Sequence, residues 1–359
     1  MEEPTAVANG TLTLLNLNIT NGFVWKSVEW NWWVICQALL AVVGLLGNTV
    51  AVLVYSIRSQ FDKSTCFLIK ALAVADFVSS ISFIPLRTAA TVPDNFMGHL
   101  YCKFIFPNVT LWLSVVASIF TLTAISVERY LAVVHPIKYR KYFSNTHPQI
   151  VVLSIWLSSG VINSCSLFIS HRDPDTGVCF VSFGTSFIQH VIGIFLFLVE
   201  YFLPVLIMIS TQVITIKHLY TEDKTTSHDG MTRGTSSNST VRQTRFVFKA
   251  RKKIVRMLCV VILIFVICWT PDQLALITFH LGLTEPQYLA GDVYRIFVVL
   301  AFCNSCANPF IYAVSNPQFR ETLRQILTRQ AQSIGLTIGS TQSTPPNDAT
   351  PSRNELSTV

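Results

Sequence analysis

Asp76 is the residue of this chain whose chemistry most demands a partner. It closes the run Leu72-Ala73-Val74-Ala75-Asp76, with apolar residues on both sides. An ionised carboxylate surrounded by hydrocarbon is costly unless something compensates it. Asn48, Ser118, Asn304, Ser305 and Asn308 fall at comparable depth in other apolar stretches. A carboxylate together with hydroxyl and amide oxygens is a hard-cation environment suited to a sodium ion. The same residues equally describe a hydrated polar network that pins helices together, and spacing alone leaves both readings open.

Three other places carry chemistry. Glu128-Arg129 is an adjacent ion pair between apolar runs, readable as a simple interfacial pair or as a charge switch. Trp269 stands two residues before Pro271, which sets a bulky ring beside a helix kink. Asp272 follows that proline and shares the face of Trp269 by its i+3 spacing. An acid there pairs either with a basic ligand group, such as an arginine or an N-terminal amine, or with an internal partner such as Arg87 or Arg295. The histidines and carboxylates are grouped neither as metal ligands nor as a nucleophile with its base. No enzyme, no catalytic residue and no cofactor is therefore expected, apart from the sodium ion.

The elements that must position these residues are seven long apolar stretches: 33–57, 65–88, 104–134, 149–169, 187–216, 254–280 and 293–314. Each approaches or exceeds the ~20 residues that cross ~30 Å of lipid as helix. A chain of 359 residues with 51% hydrophobic and 13% charged residues has too little polar surface for a soluble body of its size, and membrane insertion accounts for the bias. The expected fold is an all-α, seven-helix membrane bundle.

The net charge of +7 does not point to nucleic acid, because the cations follow alternate loops. Arg58 and Lys63, then His135, Lys138, Arg140 and Lys141, then Lys249, Arg251, Lys252, Lys253 and Arg256 mark one set of ends. The opposite ends carry mainly Arg87, Lys103, Arg172 and Arg295. By the positive-inside rule the first set is cytoplasmic and the N-terminus is outside. The first residues lack the basic and apolar regions of a cleavable signal, so the first span is expected to insert as its own signal. Asn9 and Asn18 head two sequons on the outer side and are candidate glycosylation sites. Cys102 and Cys179 fall outside the bilayer in the same oxidising compartment and are expected to bridge. Cys36, Cys66, Cys165, Cys259, Cys268, Cys303 and Cys306 read as buried apolar side chains.

No segment outside the membrane is long enough for a core of its own. The chain divides into an outer tail over 1–32, the bundle over 33–315, an amphipathic helix over 316–330 and a disordered inner tail over 331–359. Phe319, Leu323, Ile326 and Leu327 recur at helical spacing with Arg320, Arg324 and Arg329 between them, a pattern that lies on anionic lipid. The inner loop over 217–249 is rich in Ser, Thr and Gly and reads as disordered.

Gly47-Asn48, Leu72 to Asp76, Glu128-Arg129-Tyr130, Trp156, Pro204, Cys268-Trp269-Thr270-Pro271 and Asn308-Pro309-Phe310-Ile311-Tyr312 fall in successive stretches. In that order they resemble the fingerprints of rhodopsin-like (class A) G-protein-coupled receptors, over almost the whole chain. The resemblance implies an activation switch at Glu128, Arg129 and Tyr130, with Arg129 restrained by Glu128 at rest and released toward the G protein as helix 6 moves outward. It implies a trigger at Trp269 and Pro271, a connector of Ile119, Pro204 and Phe265, and an inner hinge at Asn308, Pro309 and Tyr312.

Several positions depart from that pattern. Gln212 stands where the family usually has a tyrosine that pairs with the tyrosine of helix 7, which bears on basal activity. Phe96-Met97-Gly98 replaces a Trp-x-Phe-Gly signature, and Arg251 replaces an acid that often locks the arginine. Cys102 is two residues further from Arg129 than usual, which predicts an irregular turn near Pro107. Leu111 stands where amine receptors place an aspartate, and the seventh stretch has no lysine for retinal.

The remaining pocket is rimmed by Arg87, Leu111, Trp112, Asp272, Gln273, Tyr294 and Arg295, beneath a hairpin lid expected around Cys179. It resembles the pockets of tachykinin, neuropeptide Y, galanin and orexin receptors, which implies a neuropeptide ligand at the plasma membrane. Heterotrimeric G proteins, arrestin and receptor kinases are the implied partners. A lipid or small organic acid ligand is the alternative, and an ion-coupled transporter the alternative of another class. Ser340, Thr341, Ser343, Thr344 and Thr350 offer phosphorylation sites, and Ser357-Thr358-Val359 fits a strand-adding PDZ ligand.

Overall fold

The computed structural model describes residues 22–57, 63–142, 148–232 and 238–340. Asn9, Asn18, Arg58, the tail sites from Thr341 onward and Ser357-Thr358-Val359 lie outside the described residues. Seven helices are long and apolar enough to span a bilayer: α1 (Trp32–Ile57), α2 (Ser64–Ser82), α3 (Phe96–Val134), α4 (Pro148–Ile169), α5 (Ser186–Glu222), α6 (Lys252–His280) and α7 (Asp292–Ser315). An eighth, α8 (Pro317–Ser340), follows.

Polarity is inverted relative to a water-soluble bundle. Leu39, Leu46, Leu157, Val161, Leu206, Leu263 and Phe310 point outward and are exposed, while Asn48, Asp76, Ser118, Glu128, Arg129 and Asn308 are buried among the helices. With lipid tails as apolar as leucine, close backbone approach and interhelical hydrogen bonds hold such a bundle together. Gly47 shows the first: a Cβ there would stand 3.0 Å from Pro309 Cγ, so glycine lets α1 and α7 meet. The next residue shows the second, since Asn48 Nδ2 donates to the Ser305 carbonyl at 3.2 Å. Helix α3 is central and touches α2, α4, α5 and α6.

The outer face carries two small sheets. β1 (Val24–Trp25) pairs antiparallel with β2 (Ala89–Thr91), and β3 (Ser170–Arg172) with β4 (Cys179–Val181). The hairpin expected around Cys179 is therefore present. Its turn needs Gly177, at φ +67° with the Val92 carbonyl 2.9 Å from where a Cβ would sit. The Asp173 carboxyl in the same turn is held below the usual carboxylate range, first by the Thr176 hydroxyl donating at 2.8 Å and then by the Asp175 N–H at 3.0 Å. Cys102 and Cys179 are disulfide-bonded, and Arg172 pairs with Asp94 at 3.3 Å, so the lid is tied once to α3 and once to the first outer loop.

Several boundaries differ from those read in the sequence. The second span ends at Ser82 rather than Thr88, because Pro85 lacks a donor and pushes its predecessor out of helical geometry. Helix α3 begins at Phe96 and passes through a π turn, Tyr101–Ile105, before Asn108 takes a left-handed φ of 52°. That is the irregular turn expected near Pro107; the wider turn absorbs the extra residues between Cys102 and Arg129. The segment expected to be a disordered inner loop is largely helical, with α5 continuing to Thr232 and helix resuming at Asn238. The segment contains no proline, and propagation adds one hydrogen bond per residue once a helix exists. By the same logic α8 runs to Ser340, beyond the expected 316–330. Of the cysteines outside the bridge only Cys268 and Cys306 are buried; the other five are partly exposed.

Candidate functional site

At the inner end of α3, Arg129 Nε donates to Glu128 Oε2 and its Nη2 to Oε1, each at 2.6 Å, a two-pronged pair between consecutive residues. Both side chains are buried. A buried pair is tolerated only when its remaining lone pairs and protons are satisfied. Thr65 of α2 donates to both Glu128 oxygens at 2.9 and 3.0 Å, Tyr139 donates to Oε1 at 2.8 Å, and Arg129 also contacts the Thr65 hydroxyl. Tyr130 is not part of this cluster; its hydroxyl meets His135 Nε2 at 3.1 Å.

Between α5 and α6, Gln212 is buried and its Nε2 donates to the Val255 carbonyl at 2.8 Å and to Cys259 Sγ at 3.0 Å. The side chain of Arg251 lies outside the described residues.

Mid-bundle, Asp76 is fully buried. Its Oδ1 accepts from Ser118 at 2.7 Å and its Oδ2 from Asn308 Nδ2 at 2.8 Å, while its backbone carbonyl accepts from Ser79 and Ser80. Asn48, Asn304 and Asn308 each keep a buried Oδ1 without a hydrogen-bond partner. Of the three only Asn308 is bonded to the Asp76 carboxyl; a free amide oxygen beside a carboxylate is the donor chemistry of a small hard cation, since acceptors alone cannot satisfy one another. Among the described residues no group of three His, Cys, Asp or Glu suits a transition metal.

Two of the three connector residues come together, while Pro204 is buried on α5. Ile119, Phe265 and Trp269 share the main core, and Phe265 lies 6.4 Å from Trp269 by ring centroid. Tyr201 joins them, with its ring 6.4 Å from Phe265 and its hydroxyl 2.5 Å from Thr270 Oγ1. On α7, Tyr312 is held by Tyr55 at 5.7 Å and Phe319 at 6.2 Å, and those two rings are 5.8 Å apart.

In the outer half, Asp272 is 1% exposed and its Oδ1 has no hydrogen-bond partner. Gln273 Nε2 approaches Oδ2 at 3.4 Å and Tyr294 lies beside the same carboxyl. The internal partners open to it in the sequence are not there: Arg295 pairs with Asp292 at 3.1 Å, and Arg87 is exposed before β2. Leu111 and Trp112 pack into the core. The pocket rim expected from sequence is thus only partly assembled, because α2 ends before Arg87 and the first turn of α7 claims Arg295.

Sequence reasoning passed over Thr65, Tyr139, Tyr55, Tyr201 and Glu200. Glu200 carried a readable signal, an acid in the apolar run Leu196-Phe197-Leu198-Val199-Glu200-Tyr201-Phe202. The others are ordinary residue types whose importance comes from contacts distant in sequence.

Seven spans, an inner ion-pair cluster, a mid-bundle polar cluster and a disulfide-tied outer lid define a multi-pass membrane receptor. The profile of the 7 transmembrane receptor (rhodopsin family) matches residues 47–312, and the chain belongs to that family of G-protein-coupled receptors. It is a receptor and not an enzyme. It is similar to Galanin receptor 2a of Danio rerio, 29% identical over 80% of this chain and 76% of that protein. It is also similar to Somatostatin receptor type 4 of Rattus norvegicus, 27% identical over 81% and 71%. Neuromedin-K receptor of Homo sapiens is 29% identical over 84% of this chain and 63% of its own length. A transporter is not favoured.

Proposed function

We propose that this protein is a plasma-membrane receptor for a peptide, with its N-terminus outside and a heterotrimeric G protein engaging its inner end. The observation that carries the reading is Asp272, a buried acid with an unpartnered oxygen in the outer half of α6. Relatives named as galanin, somatostatin and neuromedin-K receptors favour a peptide over a lipid or organic acid. The orientation is supported by the Cys102–Cys179 bridge, which belongs on the oxidising side.

Arg129, held by Glu128, is the resting form of the switch. Its release accompanies outward movement of α6, with Trp269 and Pro271 as the trigger, Ile119, Pro204 and Phe265 as the connector, and Asn308, Pro309 and Tyr312 as the hinge. Asp76, Ser118, Asn304, Ser305 and Asn308 would hold a sodium ion that stabilises this resting arrangement. Arrestin and receptor kinases are the further partners that the reading implies.

The test is a G-protein activation screen in cells expressing the chain, challenged with neuropeptides, lipids and organic acids, with Arg129→Ala as control. A peptide response lost in the control is the expected result. A response confined to lipids or acids, equally lost in the control, would replace the ligand class.

A further inference from the structure

The outer half of the bundle holds a second carboxylate that the assignments above leave unused. Glu200 lies in the π turn Phe197–Phe202 of α5, and that turn packs against α6, the helix that carries Asp272. A π turn accommodates an extra residue and so changes which side chains face a neighbour. The residue after Glu200 is turned toward α6, since the Tyr201 hydroxyl meets Thr270 there.

Two like charges on facing helices repel, and each loses hydration as far as it is covered: Asp272 is buried and Glu200 half-buried. No countercharge answers them: among the described residues, no lysine or arginine forms an ion pair with Glu200 or Asp272, and Asp272 Oδ1 accepts no hydrogen bond. Trp269 Nε1, one helical turn further in, is likewise buried and unpartnered. An acidic pair kept without a countercharge lowers stability, and function is the usual reason such a site persists.

We propose that Glu200 and Asp272 together bind a cationic side chain of the ligand, a guanidinium in particular. This rests on the peptide-receptor reading and adds the ligand's chemistry to it. The planar fork of a guanidinium offers five donors and engages carboxylates from two directions at once, whereas an ammonium acts as a point charge. A ligand arginine thereby supplies the positive charge that α5 and α6 lack and a donor for the free Asp272 Oδ1.

Cells expressing the full chain are challenged with two matched libraries of short amidated peptides, one carrying arginine and the other citrulline, its neutral isostere. Activity is expected from the arginine library, with citrulline partners weakened roughly 10- to 150-fold. Glu200→Gln and Asp272→Asn should weaken the arginine peptides by a similar factor at equal surface expression. Equal potency of arginine and citrulline partners would overturn the cationic site and leave the peptide receptor standing. Activation by lipids or organic acids alone would overturn both. A ligand-free measurement supplements these: Asp272→Asn should raise the apparent Tm of the purified receptor by removing an unanswered charge. An unchanged or lowered Tm would mean that the carboxylate already has an internal partner, and the proposal fails.

Discussion

The Gln212 amide donates to the Val255 carbonyl at 2.8 Å, joining α5 to the inner half of α6. The bond reaches a helix whose outward movement is the activating step proposed here. One buried hydrogen bond contributes about 1 kcal/mol, which corresponds to roughly a fivefold change in the population of a two-state equilibrium. Gln212→Met, similar in length but unable to donate, should raise basal nucleotide exchange by roughly that factor. Radiolabelled GTP-analogue binding to membranes with matched receptor levels measures it, and an unchanged baseline removes the clamp from the account.

Glu128 is the acceptor for three side chains, Arg129, Thr65 and Tyr139. Glu128→Gln leaves the Arg129 charge buried with a weaker partner. Removing one member of such a pair costs about 3–5 kcal/mol, so the purified variant should melt several degrees lower and signal more without ligand. Thr65→Val, which removes one hydroxyl, should cost only about 1 kcal/mol. Equal losses from the two variants would show that the carboxylate is not the hub.

If Asp76 and its amide neighbours hold sodium, the ligand-free receptor should melt at a higher temperature in sodium chloride than in choline chloride at equal ionic strength. Asp76→Asn should abolish that difference while the variant still reaches the surface. A sodium effect that survives the substitution places the ion elsewhere.

Cys102 and Cys179 close a loop across a sequence separation of 77. Loss of a native disulfide typically costs about 2–5 kcal/mol. Cys102→Ala with Cys179→Ala should reduce surface display severalfold, and any ligand response of the displayed fraction should weaken because the lid loses its tie to α3. Normal display and response would make the bridge dispensable.

The spans were readable in the sequence because the bilayer enforces length and apolarity on each one independently. Glu128-Arg129 was readable because the pair is adjacent, and Asp76 because a carboxylate in hydrocarbon needs a reason. Thr65 and Tyr139 were not: they reach Glu128 from 63 and 11 residues away, and a threonine or a tyrosine at a helix end has no distinguishing mark. The fate of Arg87 turned on where α2 stops, a boundary decided by Pro85 rather than by hydropathy. Arg295 was diverted by a local acid three residues earlier, a pairing that the helical repeat contained but that competed with a longer-range reading.

Tyr55, Tyr312 and Phe319 place one ring each from α1, α7 and α8 in mutual contact. Arg320 adds a second attachment, donating to the Val314 carbonyl at 2.9 Å and so closing the open end of α7. Helix α8 is therefore spliced to the hinge at two points rather than trailing from it. An inward swing of Tyr312, the movement the proposed hinge calls for, would have to break its contact with Phe319, so α8 acts as a brake shoe on the seventh helix and anything that anchors α8 would gain a mechanical connection to that motion.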